Sequence, residues 1–167
     1  MSSLFRRVSL LFVAAAMLLS GPAFADEATK KSLQEMYTSF LKAEGYIGKI
    51  DKDGDVTFKR EGKNYFIRVN DDDSKFFRLV FPAFWKIEDP AENLRALAAA
   101  EESNRKSKVS KVFLVNGNTW ASIELFVDKP EDFKKIFSRS LSALQNGVAN
   151  YVKAMRASKK GEGKATK

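Results

Sequence analysis

The sequence predicts an α+β fold: an antiparallel sheet with helices packed on one face, in the order α-β-β-β-β-α-β-β-α. Three observations carry that expectation. Apolar residues recur at spacings of three and four near both ends of the chain, as the buried stripe of a helix requires. Between them lie short runs rich in Val, Ile, Phe and Tyr, separated by the Asp, Asn and Gly combinations that close hairpins. Asp89-Pro90 and Asp128-Lys129-Pro130 mark two later helix starts.

Leu33, Met36, Tyr37, Phe40 and Leu41 place the first helix at about 29–44, and Gly45 ends it. Residues 46–50 and 55–61 read as strands joined by Asp51-Lys52-Asp53-Gly54. Residues 64–69 and 75–81 follow, divided by Glu61-Gly62-Lys63 and by Asn70-Asp71-Asp72-Asp73-Ser74, so that four strands form a meander. Asp89 can cap the second helix, with Glu92 reaching back as in a capping box. That helix runs to about Arg105 with a thin stripe of Leu94 and Leu97 helped by alanines, and is expected to pack on one side only. Asn116-Gly117, the strongest hairpin signal in the chain, separates strands at 109–115 and 119–127. Asp128 repeats the cap logic of Asp89 ahead of a long final helix marked by Phe133, Phe137, Leu141, Leu144, Tyr151 and Met155. Gly147 weakens that helix, by about 1 kcal/mol relative to alanine.

The first 25 residues read as a cleavable secretory leader: Arg6-Arg7, then an apolar run from Leu10 to Leu19, then Ala23-Phe24-Ala25 before Asp26. The run is too short for the ~20 apolar residues that span a bilayer, so no transmembrane anchor is expected in the mature chain. Periplasmic or secreted localisation follows. Removing 25 of 167 residues leaves 142, enough for one α+β domain at 26–156, followed by a basic tail at 157–167 expected to be disordered. Without Arg6 and Arg7 the net charge falls from +8 to +6, much of it in Lys159, Lys160, Lys164 and Lys167. That balance favours acidic proteins or an anionic envelope component as partners, and outside the cytoplasm it argues against nucleic acid. With no cysteine, neither a lipid-bearing cysteine nor a disulfide is available.

The inventory of reactive groups argues against an enzyme. The chain has neither histidine nor cysteine, which removes the commonest general base and the soft metal ligands. Asp51, Asp53 and Asp55 alternate like the start of a calcium loop, but Val56 stands where that loop needs glycine and Gly62 where it needs glutamate. They read as a hairpin turn, and Asp71-Asp72-Asp73 as a solvated one. Neither a metal nor a cofactor is expected.

Period two sorts the strands into faces. Val56, Phe58, Tyr65, Ile67, Val69, Phe77, Leu79 and Phe81 form the apolar set that should lie under the helices. The opposite set brings Lys59, Arg68 and Arg78 near one another with Phe66 and Phe76 between them, and strand six adds Trp120, Ser122, Glu124 and Phe126. Cations mixed with large aromatics are what partner surfaces use. Phe84 and Trp85 add apolar bulk where strand four ends, and read as a plug between the sheet and the second helix, with partner contact as the alternative. The candidate partner-binding residues are thus Lys59, Phe66, Arg68, Phe76, Arg78, Phe84, Trp85 and Trp120.

The element order, with Gly45-Tyr46, Asp53-Gly54-Asp55-Val56-Thr57-Phe58, Glu61-Gly62-Lys63-Asn64-Tyr65-Phe66-Ile67 and Glu102-Ser103-Asn104 ahead of Lys111-Val112-Phe113, resembles the YbjN-like domain family. The resemblance implies an architecture similar to type III secretion chaperones, which dimerise and bind extended protein segments, and a role described as sensory-transduction regulation. It supplies no catalytic residues. The expected function is that of an exported, non-enzymatic protein-binding module, chaperone- or adaptor-like, with a homodimer as one possible form. The competing expectation is a small-ligand sensor or regulator of the cell envelope, with a pocket between the second helix and the sheet lined by Phe84, Trp85 and Trp120. A hydrolase using serine and lysine is the third.

Overall fold

The computed structural model describes residues 22–165, with side chains from Thr29 to Lys159. The leader expected at 1–25 lies outside the described residues, except that the first helix, α1, is drawn from Pro22 to Ala43 across the expected cleavage point. Leu33, Tyr37 and Leu41 are its buried stripe. Gly45 ends it with φ +84°, while Gly45 N donates to Lys42 O and Tyr46 N to Leu41 O. This pair of bonds is a Schellman motif, whose left-handed residue favours glycine.

Six strands form one antiparallel sheet: β1 (Lys49–Ile50), β2 (Val56–Arg60), β3 (Lys63–Ile67), β4 (Phe76–Lys86), β5 (Ser110–Val115) and β6 (Asn118–Phe126). Their spatial order is β1-β2-β3-β4-β6-β5, so the first four are the expected meander and β6 lies between β4 and β5. Two further helices, α2 (Pro90–Lys106) and α3 (Phe133–Ala165), complete the α-β-β-β-β-α-β-β-α order. Buried residues of all three helices and of one sheet face join in a single core. Asn116-Gly117 turns with φ of +47° and +73°, and Glu61-Gly62 does the same at +51° and +75°, the left-handed pairs that two-residue hairpins require.

Several elements differ from expectation. β1 is two residues long because Tyr46 leaves the strand to pack at an angle on Phe58 and edge-on to Phe137, and Gly48 sits tight against Thr38 and Leu41 of α1. β4 runs five residues past Phe81, crossing a register break between Phe81 and Trp85 where Ala83 takes φ +45°. Asp89 caps α2 by accepting from Glu92 N at 2.6 Å, but the Glu92 carboxylate reaches Glu88 N, one residue beyond the cap. Asp128 does not repeat this cap. A single 3-10 turn at Pro130–Asp132 intervenes, and Asp132 accepts from Lys129 N. The helix α3 continues through Ala157 to Ala165, into the stretch expected as a basic tail.

The largest correction concerns α2. Leu94 and Leu97 face outward, 69% and 50% exposed, while Ala96, Ala99, Ala100 and Ser103 are buried. The small residues win because α2 packs closely on α3, where Ser103 Oγ donates to Gly147 O at 2.8 Å. Gly147 is therefore a contact residue. A Cβ there would lie 2.9 Å from Ser110 Cβ and closer still to its hydroxyl. Helix propensity alone makes Gly147→Ala a gain of about 1 kcal/mol; the overpacking of about 1–3 kcal/mol should outweigh it. Urea denaturation should show a net loss, restored by adding Ser110→Gly, and a stabilised single variant would show that α3 and β5 have room to part.

Candidate functional site

The sheet face opposite the core is built in rows fixed by strand register. Phe76 pairs with Phe126, Arg78 with Glu124, and Phe66 with Val80 and through it Ser122. Arg68 N donates to Arg78 O, which sets those two arginines side by side, and Trp120 pairs with Phe113 of β5.

At one end, the Phe76 and Phe126 rings stand 5.4 Å apart, and Phe126 is 80% exposed. At the other, Phe66 and Trp120 meet edge to face at 6.2 Å. Val80 and Ser122, in the row between Trp120 and Arg78, are fully buried even though they belong to this face. Large neighbours thus shelter small ones.

Glu124 organises the middle. Arg78 Nε lies 3.1 Å from Glu124 Oε1 as an ion pair without the alignment of a hydrogen bond. Lys111 Nζ donates to Glu124 Oε2 at 3.2 Å, and Ser122 Oγ to Oε1 at 2.9 Å. Burial pushes the Glu124 carboxyl up, but the bonds from Ser122 and Lys111 and the positive charges of Arg78 and Lys111 outweigh it and hold the group below its ordinary range. Lys111 also lies 5.6 Å over the Phe113 ring. The charge of Arg78 is consequently matched by Glu124 within the face, whereas Arg68 is exposed, its Nε donating to Asn70 Oδ1 at 3.1 Å and its charge acting on the Asp55 carboxyl.

The chain has no significant match among family models, curated proteins or solved structures.

Of the candidate residues, Phe66, Arg68, Phe76, Arg78 and Trp120 share this face. Lys59 is on it but apart from the arginines. The two-residue turn pairs Arg60 with Lys63 and hence Lys59 with Asn64, four positions from Arg68, or about 13 Å along the strand. Phe84 and Trp85 are on the other side, against Tyr151 of α3 at 5.3 and 5.9 Å, and Trp85 Nε1 donates to Glu92 Oε1. They plug the gap beside α2. Trp120 therefore shares no wall with them, and a pocket lined by all three is not formed. Sequence reasoning missed Lys111 and Phe113, although the same period-two rule puts both beside Ser122 and Trp120.

In both aspartate clusters a carboxylate accepts from nearby backbone, in the second through Asp73 Oδ1 from Lys75 N at 3.2 Å. Asp51 Oδ1 accepts from Asp53 N and Asp55 N, and Asp55 Oδ1 accepts from Val69 N. Burial is the main reason that the Asp55 carboxyl lies above its ordinary range. Among the described residues, no group of three acidic, histidine or cysteine side chains is placed to hold a metal ion. Nor, among them, is any helix long and apolar enough to cross a membrane.

Proposed function

We propose that the protein is an exported, non-enzymatic binding module, adaptor- or chaperone-like, whose open sheet face docks an acidic segment of another envelope protein. The observation that carries this reading is the Phe76–Phe126 ring pair, with Phe126 80% exposed, one row from the exposed guanidinium of Arg68. Rings supply contact area at low entropic cost and arginine supplies charge-assisted hydrogen bonds to carboxylates. Export, suggested by the leader-like N-terminus, makes protein a better partner for this basic and aromatic surface than nucleic acid. The resemblance to YbjN-like domains is consistent with the reading.

The test uses a photocrosslinking side chain at position 126 in living cells, with position 94 as an equally apolar, exposed control on α2. One protein species should crosslink at 126 and not at 94, and Arg68→Glu should remove it. Identical crosslinking at both positions, or none at 126, would overturn the proposal, and a crosslink to a second copy of this chain would replace the foreign partner by a homodimer. Arg68→Glu should cost no more than about 1 kcal/mol, because the side chain is exposed and its attraction to the Asp55 carboxyl is of surface strength.

A further inference from the structure

A cleft of about 650 Å³ opens between the segment joining α2 to β5 and the outward side of α3, away from the open sheet face. Its volume is within the range of about 300–1,000 Å³ typical of small-molecule sites. Val109, Leu125, Ile136 and Ala143 give it an aliphatic floor without a single aromatic ring. A flexible alkyl chain suits such a floor better than a flat ring system, which would seek a stacking partner.

The rim is cationic. Lys106, Lys108 and Arg139 line the cleft and no carboxylate does. Lys106 is held by Glu102 at 2.6 Å, whereas neither Lys108 nor Arg139 has an ion-pair partner among the described residues. The wall supplies a second, independent observation. Ser107 Oγ and Ser110 Oγ are buried beside it without a hydrogen-bond partner, both lying close to Gly147 of α3, and Ser110 is only 7% exposed. Buried hydroxyls ordinarily find partners, and a rotation about χ1 re-aims a serine hydroxyl between staggered positions.

We infer that this cleft binds a single-chain anionic amphiphile, its alkyl chain on the aliphatic floor and its head group between Lys108 and Arg139, with the two serine hydroxyls as further donors. Carboxylate and phosphate heads share the required chemistry, and the experiment separates them.

Calorimetric titration of the purified full chain with dodecanoate, dodecyl phosphate and dodecanol, each below its micellar concentration, tests this. One of the two anions, or both, should bind at a single site, and dodecanol at least about tenfold more weakly, the ratio corresponding to one head-group charge contact. The stronger anion identifies the head group. Lys108→Glu with Arg139→Glu should reduce anion binding by at least about tenfold while leaving dodecanol unchanged; both side chains are exposed, so the thermal midpoint should hold. Ala143→Phe, which fills the floor, should weaken all three ligands. Equal affinity for dodecanol and the anions, undiminished binding in the charge-reversed variant, or no binding to the native chain would overturn the inference. Arg68→Glu, on the opposite side of the sheet, should leave these titrations unaltered, so that this result and the crosslinking result stand or fall separately.

Discussion

Phe133→Ala is expected to cost about 3–5 kcal/mol, the largest loss of any single substitution considered for this chain. Phe133 is the first residue of α3 and is fully buried. Its ring meets Tyr37 and Phe40 of α1 at 4.8 Å each and Phe77 of β4 at 5.6 Å. One side chain thus joins two helices and the sheet, and truncation would leave a cavity that three separate elements must collapse to fill. Burial around this cluster is also why the Tyr37 hydroxyl is pushed up to about 12. Urea denaturation followed by tryptophan fluorescence measures the loss. Phe133→Leu, which keeps most of the volume, should lose less than half as much. A small effect of the alanine variant would mean that α1 is not anchored through this ring.

Asn104→Leu should cost about 2–4 kcal/mol and expose a strand edge, because two backbone groups lose their partners at once. β5 is an edge strand, with β6 on one side only. On its free side, Val112 N donates to Asn104 Oδ1 at 2.7 Å and Asn104 Nδ2 donates to Val112 O at 3.0 Å. The amide takes the place of a neighbouring strand at that position, and Val112 itself is buried. Unpaired edges invite pairing with another chain. Hydrogen exchange should therefore accelerate at the Val112 amide, and light scattering should detect self-association that the native chain does not show. Asn104→Asp keeps the acceptor but sets a carboxylate against the Val112 carbonyl, so it should be less stable than the native chain while still protecting the Val112 amide. Unchanged exchange in Asn104→Leu would show that some other group covers the edge.

The arrangement at Glu124 bears on how the open face should be probed. Arg78 and Lys111 both lean on that carboxylate, which makes them parts of the face's internal support. Reversing the charge of Arg78 would oppose two carboxylates across adjacent strands, an unfavourable cross-strand pair. Loss of partner capture in such a variant would then reflect damage to the sheet. Arg68, exposed and outside the Glu124 cluster, gives the cleaner test.

Much of this molecule was legible in its sequence because the relevant physics is local. A left-handed glycine stops α1 at Gly45, an aspartate caps α2 at Asp89, and Asn116-Gly117 closes a hairpin whatever surrounds them. Period two assigned Val56, Phe58, Tyr65, Ile67, Phe77 and Leu79 to the core and Phe66, Arg68, Phe76, Arg78 and Trp120 to the other face. Parity, however, sorts faces without setting neighbours. Register did that, and it carried Lys59 away from the arginines. Phe84 and Trp85, read as a plug beside the second helix, lie at the register break that follows Phe81 and pack on Tyr151. On α2 two stripes fit the helical period, one of leucines and one of alanines, and only the partner could choose. The choice fell to the surface of α3 around Gly147, 44 residues from Ser103, where the Gly147 carbonyl accepts from Ser103 Oγ and seats the small stripe against α3 with the leucines outside. The cleft beside α3 has the same origin: its aliphatic floor and its cations come from segments that share no local pattern and meet only when helix, loop and sheet close together.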